Sequence, residues 1–147
     1  MTGQLSPADI AELTRLTIRY AHAIDRNQPE LLRDVFTDDA IIEFHLMADA
    51  PVIRYDGLSS FVNRAKERFE SQHYLSNHEF DADAERARGI CYLIGQHWLP
   101  ENRADLCQTG ARYEDLCVPT PAGWRIAERR CYFTWTQGNT AVLGGLR

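Results

Sequence analysis

Apolar residues recur at helical spacing near the N-terminus and at alternate positions over the second half of the chain, so helices are expected first and strands last. Ser6-Pro7-Ala8-Asp9 is a helix start: serine can cap, proline suits the first helical position, and an acid three residues after the cap favours the helix dipole. Ile10, Leu13, Thr17, Tyr20, Ala21 and Ile24 then predict an amphipathic helix to about Arg26. Asn27-Gln28-Pro29 restarts a helix whose buried side is Leu31, Leu32, Val35 and Phe36, ending at Thr37-Asp38-Asp39. Ala40 to Leu46 alternates as a strand, and Val52 to Tyr55 reads as a short second one. After the turn Asp56-Gly57, a helical stripe runs through Leu58, Phe61, Val62, Ala65 and Phe69.

From His73 the period changes to two. Four long strands are expected at about 73–82, 86–99, 105–118 and 123–136, with turn residues at Asp81 to Glu85, Pro100 to Ala104 and Pro119 to Gly123. Such short separations imply antiparallel hairpins. Helices followed by a meander define an α+β class, its sheet curled around the helices. The tail from Gly138 to Arg147 is rich in glycine and small residues and leaves two options, disorder or closure over a cavity or neighbouring subunit.

Composition narrows the function classes. The 147 residues fit one domain, expected to span 1–147, with enough length for a substantial core. A net charge of −5 without a basic run removes the electrostatic case for nucleic acid. No apolar stretch is long enough for a membrane span and no signal-peptide core is visible, so a cytoplasmic protein is expected. Cys91, Cys107, Cys117 and Cys131 contain no CxxC pair and read as four buried thiols, with pairing across neighbouring strands left open.

Strand parity then sorts the candidate chemistry. Ala87, Gly89, Cys91, Leu93, Gly95 and His97 share a face of small residues, Cys107, Thr109, Ala111 and Tyr113 share another, and Ala127, Arg129, Cys131, Phe133 and Trp135 a third. If these faces line one concavity, its polar groups are His73, His97, Thr109, Tyr113 and Arg129, which is the usual form of a small-molecule site. Each has a plainer alternative: His97 at a strand end, Tyr113 as a core tyrosine, Arg129 as a solvated charge within Glu128-Arg129-Arg130. Asp25 stands near the edge of the first helix's apolar face, where position alone favours solvent over a cavity. The stretch Ser71 to His78 opens the long β region, and a histidine beside small polar residues there suggests a pocket wall. His73 and His78, five apart, fall on opposite strand faces, and no HxxxH or HExxH set, phosphate loop or GxSxG elbow occurs.

The segments Arg19-Tyr20-Ala21-His22-Ala23-Ile24-Asp25, Leu32 to Ala40, Gln72-His73-Tyr74-Leu75-Ser76-Asn77, Gly110 to Asp115 and Gly123 to Arg129 carry a resemblance to the SnoaL-like branch of the nuclear transport factor 2-like superfamily. It implies a cone-shaped α+β fold with N-terminal helices packed in a strongly curved, mostly antiparallel sheet. Within it the chain is most similar to scytalone dehydratase-like and hexachlorocyclohexane dehydrochlorinase-like enzymes. Both use an Asp–His pair, and Asp25 and His73 fall at its positions. His97 matches a second histidine of the dehydratases, and Arg129 an arginine of the dehydrochlorinase pocket. Two pocket tyrosines of the dehydratases are replaced by Ile24 and Phe44, and a lysine of the dehydrochlorinases by Tyr20.

The resemblance implies a cofactor-independent and metal-independent lyase or isomerase. Asp25, His73 and His97 would be catalytic, and Tyr20, Phe44, Tyr113, Arg129, Cys131, Phe133 and Trp135 would bind a small hydrophobic molecule. His73 would take a proton from carbon, leading to dehydration, another elimination, a double-bond shift or a cyclisation. The alternatives are a non-catalytic ligand-binding or assembly subunit, as in the small subunit of ring-hydroxylating oxygenases, and an epoxide hydrolase. Association through the outer sheet face, as a homodimer or homotrimer, is the expectation for this fold.

Overall fold

The computed structural model describes residues 4–47, 49–65 and 70–146. Helix α1 (Pro7–Asp25) begins at the expected cap. The Ser6 hydroxyl accepts from the Asp9 backbone N–H at 3.1 Å, and the Asp9 carboxylate accepts from Ser6 N–H at 2.9 Å. This is a reciprocal capping box built with the shorter acid. Leu13, Leu16, Thr17, Tyr20, Ala21 and Ala23 form the buried stripe of α1, whereas Ile10 is 42% exposed. The helix ends in a Schellman turn. Gln28 N–H donates to Ala23 C=O at 2.8 Å and Asn27 N–H to Ile24 C=O at 3.0 Å, with Asn27 in the left-handed region at φ 52°.

The segment at Pro29 is a tight 3-10 helix, Pro29–Asp34, not an α-helix. Strand β1 (Phe36–His45) starts directly after it, so Thr37, Asp38 and Asp39 are strand residues rather than a helix end. Strand β2 (Ile53–Asp56) pairs antiparallel with β1, and helix α2 (Leu58–Ala65) follows. Phe69, the last member of its predicted stripe, lies outside the described residues. The meander is β3 (Glu70–Asp83), β4 (Arg86–Leu99), β5 (Asn102–Thr120) and β6 (Gly123–Gly138). The tail forms a 3-10 helix, Thr140–Leu146. No helix among the described residues is long and apolar enough to cross a membrane.

The six strands form one curved, unclosed sheet in the order β2-β1-β6-β5-β4-β3. All pairings are antiparallel except that of β1 with β6, which is parallel. The helices fill the concave side. Leu13, Leu16 and Tyr20 of α1 meet Ile42, Cys91, Tyr113, Ile126 and Cys131 of the sheet in one core. The far end of α1 is tied down by Trp124, whose ring N–H donates to Asp9 at 2.9 Å and whose backbone N–H donates to Glu12 at 3.0 Å.

Three bulges reset which side chains face inward. In β3, Ser76 pairs with Tyr92 and Glu79 with Ile90, so Asn77 and His78 together oppose one residue. Asn77 takes φ 55°, a conformation asparagine tolerates better than most residues. The extra residue brings His78 onto the same face as His73, where its Nε2 lies 2.8 Å from the Thr17 hydroxyl of α1. The opposite-face expectation for this histidine pair is thereby corrected. In β6 the register shifts at Ala127 and again at Thr134.

Candidate active site

Paired residues of adjacent strands project to the same side of a sheet, so the register defines rows across the concave face. His73 of β3 pairs with Gly95 of β4, Gly95 with Thr109 of β5, and Thr109 with Thr136 of β6. The neighbouring row towards the sheet end is Ser71, His97 and Cys107. The Schellman turn ends α1 one residue after Asp25 and delivers that carboxylate to the start of β3. A carboxylate in the last turn of a helix opposes the dipole, at a cost of about 0.3–1 kcal/mol. Partners on β3 offset it.

Asp25 Oδ1 lies 2.6 Å from His73 Nδ1 and accepts from the Ser71 hydroxyl at 2.8 Å. Its Oδ2 accepts from the His73 backbone N–H at 2.8 Å. Burial pushes the Asp25 carboxyl up, but the contacts with His73 and Ser71 outweigh it and hold the group below its ordinary value. Asp25 is therefore ionised at neutral pH, and its hydrogen bond puts the proton of a neutral His73 on Nδ1. The Nε2 lone pair is then free for a substrate proton. The His73 side chain is 8% exposed and that of Asp25 18%, so water has little access to the pair.

His97 stands across from His73 with ring centroids 5.4 Å apart and edge-on geometry. Its Nε2 is 3.3 Å from the Thr109 hydroxyl. Burial, reinforced by neighbouring His73 and opposed by Asp25, pushes its pKa down to about 3. His97 is thus a neutral imidazole that exchanges hydrogen bonds without adding charge. Gly95 makes the approach of the two rings possible. A Cβ on it would sit 2.8 Å from His97 Nε2, 3.0 Å from Thr109 Oγ1 and 3.3 Å from His73 Cδ2.

The remaining expected site residues form a second group, built on Tyr113, which pairs with Cys91 on one side and Cys131 on the other. Gly95 and Cys91 are four residues apart on β4, which puts this row about 13 Å along the strands from His73. Here Arg129 is fully buried rather than solvated. Its Nε and Nη2 donate to the two carboxylate oxygens of Asp115 at 2.8 and 2.7 Å. Its guanidinium carbon lies 4.0 Å from the Tyr113 ring centre, 4.5 Å from Tyr20 and 5.6 Å from Phe36. Burial alone would favour neutral Arg129, yet Asp115 reverses that and raises its pKa further. Burial also pushes the Tyr20 phenol up to about 12 and the Tyr113 phenol well above its usual range, so both are neutral.

Phe44 packs within the same aromatic cluster, with ring centroids 6.0 Å from Phe61 and 6.1 Å from Tyr55. Cys131 is 2% exposed beside it. All four cysteines are free and buried, and burial raises each thiol's pKa, which keeps them unreactive. Phe133 pairs with Ala111 on the concave side, half-buried.

Trp135 does not join them. The bulge at Thr134 places it opposite Gly110 on the convex face, where it is 39% exposed and its indole covers that glycine. The expectation that it binds substrate is corrected by this inversion. Ser71, a partner of Asp25, was not expected, although its separation of two from His73 signals the shared face. Among the described residues no group of three or more His, Cys, Asp or Glu side chains is arranged to hold a metal ion.

Residues 6–130 match the family model described as a SnoaL-like domain. The chain belongs to that family, a branch of the nuclear transport factor 2-like proteins. An uncharacterized protein of Mycobacterium tuberculosis is 30% identical over 131 residues, covering 86% of this chain and 88% of its own. A protein of Novosphingobium aromaticivorans proposed to be a scytalone dehydratase superposes with a TM-score of 0.76, at 19% identity, covering 90% of this chain and 88% of that one. A hexachlorocyclohexane dehydrochlorinase superposes with a TM-score of 0.74, at 17% identity, covering 90% and 89%. At such identities these likenesses establish the fold.

Proposed function

We propose that this protein is a cofactor-independent lyase or isomerase in which His73 removes a carbon-bound proton from a small hydrophobic substrate. The observation that carries this reading is the two-point hold of Asp25 on His73, which fixes both the tautomer and the ring position. His73 Nε2 takes the proton, the C–H electron pair forms the new double bond, and a leaving group on the adjacent carbon departs with its own pair. Asp25 stabilises the imidazolium without taking the proton, as the aspartate of a serine-protease triad does. Where the substrate carries a carbonyl beside the acidic carbon, the same abstraction yields an enolate and then a shifted double bond or a ring closure. Neutral His97 and the Thr109 hydroxyl, 3.3 Å apart, would hydrogen-bond developing negative charge. The Tyr20, Tyr113 and Arg129 cluster is packed in the core about 13 Å along the strands from His73, with its charge already met by Asp115.

A positioned base contributes roughly two to four powers of ten to such a rate. The test uses 5-nitrobenzisoxazole, whose isoxazole ring opens to a coloured nitrophenolate when a base removes the C–H proton of that ring and the N–O bond breaks. Wild type is expected to open it with a primary deuterium isotope effect, and His73→Ala to lose at least about 100-fold while keeping its circular dichroism spectrum. Equal rates for the two proteins would overturn the assignment. We further propose that copies associate through the convex face, as a homodimer or homotrimer. Tyr74, Ile94 and Trp135, adjacent on that face across β3, β4 and β6, are 55%, 47% and 39% exposed, and light scattering of the purified chain reads the state.

A further inference from the structure

The Asp25 oxygen that faces the imidazole carries a second hydrogen bond. His73 Nδ1 lies 2.6 Å from Oδ1, and the Ser71 hydroxyl donates to the same atom at 2.8 Å. An ionised carboxylate only accepts, so the direction of the Ser71 bond is fixed. Ser71 and His73 stand two apart on β3 and therefore share a strand face, which lets both reach one oxygen. Ser71 is 7% exposed, so water competes little for its proton. Across the strands it pairs with His97 of β4.

We propose that Ser71 is a positioning residue that acts through Asp25: its hydroxyl draws on the charge facing the imidazole and so sets the pH at which the base is free to work. The role rests on the reading of His73 as the base. Two donors on one carboxylate oxygen divide its charge, and each hydrogen bond to the charged form lowers that group's affinity for protons. Burial pushes the Asp25 carboxyl up, and the contacts from His73 and Ser71 together bring it below its ordinary value. With the Ser71 hydroxyl removed, the full charge on Oδ1 faces the imidazole. The Asp25–His73 pair then keeps its proton to higher pH, and a pair holding that proton cannot take another from carbon. The titratable groups around the pair are His97 of β4, whose pKa burial lowers to about 3, and Cys107 of β5, whose thiol burial raises. Neither changes charge between about pH 5 and 8. His22 and Arg26 of the α1 end are exposed and common to every variant.

The test follows two readouts in the full chain from about pH 5 to 9, the rate of 5-nitrobenzisoxazole opening and the Cε1–H NMR signal of His73, assigned by its loss in His73→Gln. Ser71→Ala is expected to move both midpoints upward by about 0.5 unit or more, so that the rate on the acid limb falls at least about threefold. Ser71→Thr keeps the hydroxyl and is expected to hold both within about 0.2 unit of wild type. Should Ser71→Ala fail to fold, Ser71→Cys, whose thiol is a weak donor, gives the same reading. A midpoint that stays within about 0.2 unit of wild type or moves downward overturns the role of Ser71. So does an equal upward shift in Ser71→Thr, which would place the effect in packing rather than in the hydroxyl. The NMR arm does not depend on turnover. A His73 signal that shifts with Ser71 alongside unchanged benzisoxazole opening in His73→Ala would sink the base alone. An unmoved signal alongside lost opening in His73→Ala would sink the role of Ser71 alone.

Discussion

Asp25 grips His73 through two different parts of the same residue, its imidazole Nδ1 at 2.6 Å and its backbone N–H at 2.8 Å. The second contact makes the first directional, because a carboxylate fixed to the strand cannot follow the ring if it rotates. Asp25→Asn keeps the size of the side chain but removes its charge, and its amide nitrogen cannot accept a hydrogen bond. The variant is expected to open 5-nitrobenzisoxazole roughly 100- to 10,000-fold more slowly while keeping its circular dichroism spectrum, with a lower midpoint in urea because the contacts to the ionised carboxylate are lost. Retention of more than about a tenth of the wild-type rate would show that the carboxylate does not serve the base.

Gly95→Ala probes the spacing of the two imidazoles without touching either. The added methyl meets His97 Nε2 at 2.8 Å and Thr109 Oγ1 at 3.0 Å, so both must yield. A loss of at least about tenfold in turnover is expected, since small displacements of reacting groups carry large penalties, together with a stability change near 1 kcal/mol. Unchanged turnover would mean that His97 and Thr109 take no part in the reaction.

The Asp115–Arg129 pair makes a prediction about the fold. Asp115→Ala strands a guanidinium that has no exposure to solvent, and breaking a buried pair in this way costs about 3–5 kcal/mol. Urea unfolding at neutral pH should show that loss. Arg129→Met with Asp115→Leu, which removes both charges and keeps the volume, should recover most of it. A loss under about 1 kcal/mol for Asp115→Ala would show that the guanidinium finds water or another acceptor.

Buried His97 makes stability fall in acid. Its folded pKa is about 3 against 6.5 for an unperturbed histidine, so between those values the unfolded chain binds the extra proton. Stability is then complete above about pH 6.5 and declines as pH falls towards 3, by up to about 1.4 kcal/mol per unit. His78, whose pKa burial also lowers against an opposing pull from Asp115, acts in the same direction. Asp25, with its pKa held down, adds a further loss once pH drops below its unfolded value. Urea midpoints measured from pH 7.5 to 4 should therefore fall steeply for wild type and less steeply for His97→Gln. Parallel slopes would place the titration elsewhere.

The order of helices and strands was legible because it rests on local signals, whereas the pairing of Asp25 with His73 came only from the family resemblance. Ser6-Pro7-Ala8-Asp9 marks a helix start by its own chemistry, and the turn residues after Pro100 and Pro119 mark hairpin ends. His73, His97 and Thr109 followed from counting by twos along unbroken strands. The same counting failed wherever a strand carries an extra residue. The bulges at Ala127 and Thr134 have no compositional mark, so Trp135 was expected on the wrong face, while Asn77 offered a faint one through its tolerance of positive φ. Arg129 looked like an edge charge because Asp115, fourteen positions earlier, becomes its neighbour only once the β5–β6 register is known. Asp25 needed a contact 48 residues away, which no local pattern encodes.

The parallel pairing of β1 with β6 governs the order in which the molecule can be made. Strand β1 leaves the ribosome early, yet its neighbours are β2 and the last long strand, so until Gly123 to Gly138 have been synthesised the front of the sheet has nothing to join. The nascent chain must carry the Phe36 to His45 strand, paired with β2 alone, apart from the rest of the sheet while the central hairpins assemble. Closure across such a sequence distance is slow. Its apolar residues, Ile42 and Phe44 among them, are then open to chaperones or to other chains until translation is almost finished.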